Sequence, residues 1–230
     1  MNTVDERELE AHLEQSWRTN AAAWTHAVRG QRIASRRAGT DAAIVAAVLA
    51  TRAKRVLDLG CGEGWLARAL AAHGCEVVGV DGSPELIAAA NELGGARFEC
   101  ASYIEITACV AEFGRFDAVV CNFALLGADL GEPLRAAYAL LQADGHLLVQ
   151  TVHSWIACGD EAYVDGWRNE TFTTFGDEFR APMPWYFRTL GNWAETITAA
   201  GFRIERWLEP LDHASGRPLS LLIEATPIVQ

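Results

Sequence analysis

Gly60, Gly62 and Gly64 stand at every second position after the apolar run Val56-Leu57-Asp58-Leu59, and Trp65 to Ala72 reads as an apolar helix directly behind them. Glycine lacks Cβ and accepts φ > 0, so the backbone here can pass close to a ligand. The free N–H groups at the start of the following helix favour polar or anionic ligand groups. A second apolar run, Val77-Val78-Gly79-Val80, ends in Asp81, whose carboxylate can accept hydrogen bonds from a ribose diol. A strand, a glycine loop, a helix and an acid-terminated strand together describe a nucleotide-handling site.

Which nucleotide depends on the third glycine. The dinucleotide fingerprint G-x-G-x-x-G would place it at position 65, where the chain has Trp65. An indole at a point where helix and strand must pack closely counts against NAD or FAD. No Gly-Lys-Ser/Thr follows, so a P-loop is absent.

The elements that must hold these residues follow from the apolar pattern. Five apolar runs read as strands: Arg55–Leu59, Glu76–Val80, Ala96–Cys100, Phe116–Asn122 and His146–Val152. Runs of that length suit a sheet covered on both faces. Helices are expected between them at Trp65–Ala72, Pro84–Asn91, Ile104–Glu112 and Pro133–Leu141, with Ser83-Pro84-Glu85 as a strong helix start. Two helices come first, Asp5 to Trp17 and Asp41 to Thr51, the second with Thr40 as its N-cap. Such alternation predicts an α/β fold with a largely parallel sheet.

After Val152 the rhythm breaks. Thr151 to Trp193 holds 10 of the 21 aromatic residues in 43 positions, too aromatic for a linker and long enough for a lid. A final helix, Thr189–Ala200, then leads to strands Phe202–Leu208 and Leu219–Ala225, which a short connection can join as an antiparallel hairpin.

Net charge is −11 and Lys54 is the only lysine, so nucleic acid and anionic membranes are poor partners by charge. Arg29, Arg32, Arg36 and Arg37 form the one basic cluster. The cysteines, Cys61, Cys75, Cys100, Cys109, Cys121 and Cys158, make no C-x-x-C pair. Neither a metal site nor a dithiol motif is expected. Cys100 and Cys121, in expected strands, read as small buried hydrophobes. With no apolar signal core and no run long enough to span a bilayer, the expectation is a reduced, cytoplasmic, soluble protein, monomer or homodimer.

Val56–Gly64 resembles motif I of the class I S-adenosylmethionine-dependent methyltransferases, and Val77–Asp81 is similar to their second motif. Phe116–Asn122 resembles their fourth strand, and Leu140-Leu141-Gln142-Ala143-Asp144-Gly145-His146-Leu147-Leu148-Val149 the turn into their fifth. The match covers about Arg55 to Thr151, and within the family it looks most like the UbiE/UbiG-like small-molecule enzymes. The resemblance implies a Rossmann-like fold. It would have a mostly parallel seven-stranded sheet with an antiparallel last strand, helices on both faces, N-terminal helices and an aromatic lid. It implies one domain: cap 1–52, cofactor-binding core 53–152, lid insert 153–188, and final helix and hairpin 189–230.

It implies S-adenosylmethionine as cofactor, leaving as S-adenosylhomocysteine, and a role for each residue around it. Gly60, Cys61 and Gly62 would run beneath the methionine part, Asp58 would orient the loop or take the amino group, and Asp81 would bind both ribose hydroxyls. Gly82 and Ser83 would lie along the adenosine. Where the family often has an acid for the adenine amino group, this chain has Ala101-Ser102-Tyr103. Ser102 or a backbone carbonyl would substitute, and Tyr103 would cover the base. Asn122 and Phe123 would flank the methyl path. Arg36 or Arg37 would pair with the cofactor carboxylate, or else form a solvated turn.

The reaction would be an in-line methyl transfer, most simply to oxygen, on a small aromatic or quinone-like acceptor. His153, just beyond the fifth strand, is the first candidate for the base, ahead of Asp160 and Glu161. Trp155, Trp185 and Tyr186 would contact the acceptor, with Tyr163 a further polar handle; alternatively these rings close an accessory core. Trp24 would help close the site or simply pack. The competing functions are an NAD-dependent oxidoreductase and a non-catalytic cofactor-binding regulator on the same fold.

Overall fold

In the computed structural model, the structure describes residues 5–228 other than 109, 174 and 176. Cys109, inside the expected helix Ile104–Glu112, lies outside that set. The flanking helical pieces are α6 (Tyr103–Ala108) and α7 (Val110–Phe113).

Seven strands form the main sheet: β1 (Arg55–Leu59), β2 (Glu76–Asp81), β3 (Arg97–Cys100), β4 (Phe116–Asn122), β5 (Leu141–Thr151), β8 (Phe202–Leu208) and β9 (Leu221–Pro227). Their order is β3-β2-β1-β4-β5-β9-β8. Strands β1 to β5 pair in parallel, while β9 runs antiparallel to both neighbours. The strand order reverses between β1 and β4, so the loops leaving their carboxyl ends diverge and open a crevice.

The two faces of the sheet are filled by the period-2 pattern of its strands. Val119 and Cys121 of β4 join one core, with Leu57 and Val149, against α6, α8 (Gly131–Leu140) and α10 (Leu190–Ala199). Ala118 and Val120 join the other, with Val56 and Leu148, against α3 (Asp41–Ala50), α4 (Trp65–Ala72) and α5 (Pro84–Leu93).

The N-terminal part departs from expectation. Between α1 (Glu6–Thr19) and α3 lies an additional helix, α2 (Ala21–Arg29). Asn20 ends α1 and begins α2, so the chain turns without a loop. Thr40 does not cap α3: its backbone is already helical, continuing from the wide turn Arg36–Thr40, and its hydroxyl is buried without a partner. Ser83 does cap α5, accepting from the Leu86 N–H at 3.2 Å. Cys100 is exposed rather than buried, because it ends an edge strand.

The insert after β5 has regular structure of its own. It contains α9 (Ser154–Cys158) and a separate antiparallel ribbon of β6 (Gly166–Glu170) and β7 (Met183–Phe187). The ribbon lies against α1. Asn20, fully buried, stitches the two together: its amide donates to the Ala181 carbonyl at 2.7 Å and accepts from the Arg180 N–H at 2.9 Å.

Candidate active site

The glycine loop leaves β1 at the reversal point. Gly60 has φ 79, and a Cβ there would stand 2.4 Å from the Ala124 side chain beyond β4. Only glycine lets the two loops approach this closely. The amides of Gly60 and Cys61 donate to the Val80 carbonyl, which ties the loop to β2.

Asp81 closes the same corner. Its carboxylate accepts from the Gly62 N–H at 2.9 Å and the Ser83 N–H at 2.8 Å. Desolvation raises its pKa, and these two amides oppose the rise. Asp58 is buried behind the loop with its Oδ2 unpartnered. Burial, helped by the negative charge of Asp81, lifts its pKa from 3.8 to about 7. An orphaned carboxylate oxygen in the wall of a cavity is a ready acceptor for an ammonium group. A ligand with a ribose diol and an amino-acid end therefore fits the residues present.

The cavity around them measures about 630 Å³. Of the residues singled out from the sequence, Asp58, Gly60, Cys61, Gly62, Asp81, Gly82, Ser83, Ser102, Tyr103, Asn122, Phe123, Arg36 and Trp185 line it, as does Trp24. Ser102 sits in a reciprocal cap with Glu105, whose carboxylate accepts from the Ser102 N–H at 2.8 Å. Asn122 Oδ1 accepts from the Gln150 amide at 2.8 Å. Arg36 donates to Asp41 at 2.8 Å and lies 4.3 Å from the centre of the Trp65 ring.

Four of the expected residues stand elsewhere. Arg37 is exposed and donates to the Gln31 carbonyl. His153 is buried outside the cavity and pairs with Glu209 at 2.7 Å, because the chain turns into α9 there. Trp155 is 66 % exposed and outside the cavity lining, beside Tyr163, whose hydroxyl accepts from the Leu190 N–H. Tyr186 alternates with Trp185 on β7 and packs against Trp167, so the ribbon turns one ring in and the next out.

The sequence pattern marked neither Glu170 nor the segment 125–133 of the wall, and it missed two further parts. One is the face of α1 carrying Glu10, Leu13, Glu14 and Trp17, whose spacing was the available signal. Glu10 accepts from the Ala128 N–H at 2.6 Å, and Gly127 leaves room for its carboxylate. The other is Glu63, buried in the wall and held by Arg29 of α2 at 3.1 Å and Arg68 of α4 at 2.6 Å. It links the N-terminal helices to the glycine loop. Above the crevice, Trp17, Trp24, Phe172, Phe175 and Phe179 pack ring against ring and with Leu13, Leu126 and Met183 make a small core. The aromatic segment thus both roofs the cavity and has a core of its own.

Among the described residues no helix is long and apolar enough to cross a membrane, and no group of three His, Cys, Asp or Glu side chains could hold a metal ion.

Comparison with known proteins places this geometry. Residues 57–147 match the family described as Methyltransferase domain. An uncharacterized methyltransferase of Schizosaccharomyces pombe is 27% identical over 170 residues, covering 70% of this chain and 64% of that protein. A ubiquinone biosynthesis O-methyltransferase of Ralstonia nicotianae is 34% identical over 104 residues, 44% of each chain. The chain thus spans from under half to about two thirds of these relatives' length. The solved structure of the 1,6-didemethyltoxoflavin-N1-methyltransferase of Burkholderia thailandensis, with 1,6-didemethyltoxoflavin and S-adenosylhomocysteine bound, superimposes with a TM-score of 0.64 at 23% identity. It covers 100% of this chain and 93% of that one. Residues 57–147 are thus similar to a methyltransferase domain, and the chain as a whole shares the Rossmann-like fold of solved S-adenosylmethionine-dependent methyltransferases.

Proposed function

We propose that the chain is an S-adenosylmethionine-dependent methyltransferase acting on a small, flat, partly apolar acceptor such as a phenol, a quinone precursor or an aromatic secondary metabolite, with transfer to oxygen. One observation carries the reading. A single cavity joins the glycine loop and the acid-terminated second strand to an aromatic roof. The Ralstonia relative's name as an O-methyltransferase supports oxygen. The 1,6-didemethyltoxoflavin bound in the Burkholderia neighbour supports a small-molecule acceptor, although that enzyme is named for N1-methyl transfer.

When bound, the cofactor supplies an electrophilic methyl group on a sulfonium. The chain's own residues do the rest. Asp81 accepts the ribose hydroxyls, Asp58 offers Oδ2 to the amino group, and the glycine loop passes beneath the amino-acid end. In this reading residues 1–52 are the cap and 153–188 the lid. Together they exclude water and align the acceptor with the methyl group for in-line displacement. Trp65 in the third-glycine position argues against NAD, since here it begins α4 and stacks under Arg36.

Calorimetry with S-adenosylhomocysteine and NAD tests the cofactor. Micromolar or tighter binding of S-adenosylhomocysteine is expected; binding of NAD alone would refute the reading. Transfer of label from S-adenosylmethionine to a panel of phenols and quinols then tests the acceptor. Methylation confined to nitrogen compounds would reject oxygen, and no transfer to any acceptor would favour a binding protein.

A further inference from the structure

We propose that the acceptor carries a protonated amine, and that Glu170 receives it beneath the aromatic roof. The inference rests on the methyltransferase reading and adds the chemical class of the acceptor.

Glu170 ends β6, opposite Met183 of β7, and lines the cavity. Its Oε1 accepts from the Phe172 N–H at 2.7 Å. Phe172 is buried with φ 59, a conformation that costs a bulky residue energy and persists only where packing enforces it. Here Phe179 stacks on its ring at 4.5 Å and Trp24 meets it edge-on at 5.6 Å. The roof therefore holds the turn that fixes the carboxylate, and a group so preorganised loses little freedom when a ligand arrives.

The surroundings of this carboxylate suit a cation. Trp17, Trp24 and Trp185 line the same cavity, and ring faces attract an ammonium through their quadrupoles, tryptophan most strongly. On α1, Glu10 and Glu14 face the cavity with Arg18 as the only basic residue. Asp129, Glu132 and Glu170 add to these acids, against Arg18 and Arg36, the latter already paired with Asp41, so an acceptor bearing a carboxylate or phosphate would meet more like charges than opposite ones. The net charge of −11 also raises the local concentration of cations. A flat acceptor with a hydroxyl directed to the cofactor cradle and an ammonium held by Glu170 would touch two parts of the lining of one cavity.

The test is calorimetric titration of the full chain, saturated with S-adenosylhomocysteine, at near-neutral pH. The ligands are tyramine, 4-propylphenol and 4-hydroxyphenylacetate, which share a phenol but carry a cationic, neutral or anionic tail. Tyramine is expected to bind about tenfold tighter than 4-propylphenol, the effect of one charged hydrogen bond, and 4-hydroxyphenylacetate weakest. Glu170→Gln should bring tyramine down to the level of 4-propylphenol while leaving 4-propylphenol and S-adenosylhomocysteine unchanged, and Glu170→Asp should retain part of the preference. Equal affinities in the wild-type chain, a preference for the anion, or binding of none of the three overturns the proposal. So does an intact tyramine preference in folded Glu170→Gln. If S-adenosylhomocysteine itself fails to bind, the methyltransferase reading falls first, a result distinct from loss of the amine preference.

Discussion

Asp58 gives the cofactor-free protein a pH dependence whose sign can be worked out. Its carboxyl releases a proton near 3.8 when unfolded and near 7 when folded. Between those values the folded state holds the extra proton, so stability falls as pH rises through that window, and the loss is complete above about 7. Each pKa unit corresponds to roughly 1.4 kcal/mol. Asp58→Asn should therefore become increasingly more stable than the wild type from pH 4 to pH 7 in denaturant unfolding without cofactor. A difference independent of pH would show that burial does not penalise this carboxylate. Asp81→Ala should weaken S-adenosylhomocysteine binding by on the order of 1–3 kcal/mol through loss of charged hydrogen bonds; unchanged affinity in a folded variant removes Asp81 from the site. His153→Ala should lower the melting temperature, because it breaks the pair with Glu209, while turnover per folded molecule is preserved. A large loss of turnover would return His153 to the chemistry. That Asp58 and Asp81 share one corner of the cavity was legible because spacing along one strand and one loop places them. The position of His153 was not, because a single turn into α9 decides which way its ring points, and no local pattern encodes that.

At the level of elements, the sheet was readable and the roof was not. β1, α4, β4 and β8 run between the residues that their apolar patterns mark, since glycine, proline or charge bounds β1, α4 and β8 at both ends and β4 at its start, and both sheet faces are covered. β6 and β7 escaped because their pattern answers to α1, far away in sequence, and because Pro184 within β7 argues against a strand. The helix α2 escaped because Asn20 ends one helix and starts the next with no breaker residue between. The same Asn20 supports the element-scale prediction. It is the buried hinge at which α1, α2 and the segment before β7 share hydrogen bonds. Asn20→Ala leaves the Arg180 amide and Ala181 carbonyl short of partners, at a cost of about 1–3 kcal/mol. If the roof is one unit, fluorescence of Trp17 and Trp24 should report this loosening at denaturant concentrations where far-ultraviolet circular dichroism of the sheet is unchanged. Coincident loss of both signals would mean that the roof and the sheet unfold as one.

For the whole molecule, the decisive contrast is between two kinds of interior. The sheet is packed on both faces by large cores of fully buried aliphatic side chains, whereas the roof core has four buried members, Leu13, Leu126, Phe172 and Met183, with partly exposed rings around them. Apolar burial is roughly proportional to area, so the roof has much the smaller share of the stabilising energy. Among the described residues its fastenings to the body include Tyr186 N–H to the Leu126 carbonyl, Arg188 to the Ala128 carbonyl, Glu10 to the Ala128 N–H, Arg29 to Glu63, Glu92 and the Ala89 carbonyl, and the bonds of Asp165 and Tyr163 to the start of α10. Small cores open locally at low free energy, and under the proposed function such an opening would admit the acceptor. Hydrogen exchange should therefore be faster across α1 and the β6–β7 ribbon than across β1 and β4 in the free protein. S-adenosylhomocysteine alone should protect chiefly the glycine loop and the ends of β1 and β2. Added acceptor should then slow exchange in α1 and the ribbon, because only a ligand touching both the roof and the crevice stabilises the closed state over the open one. Roof amides exchanging as slowly as β4 in the free protein would mean that the acceptor enters by another route, and Glu10, Glu170 and the tryptophans would then be a fixed wall rather than a moving lid.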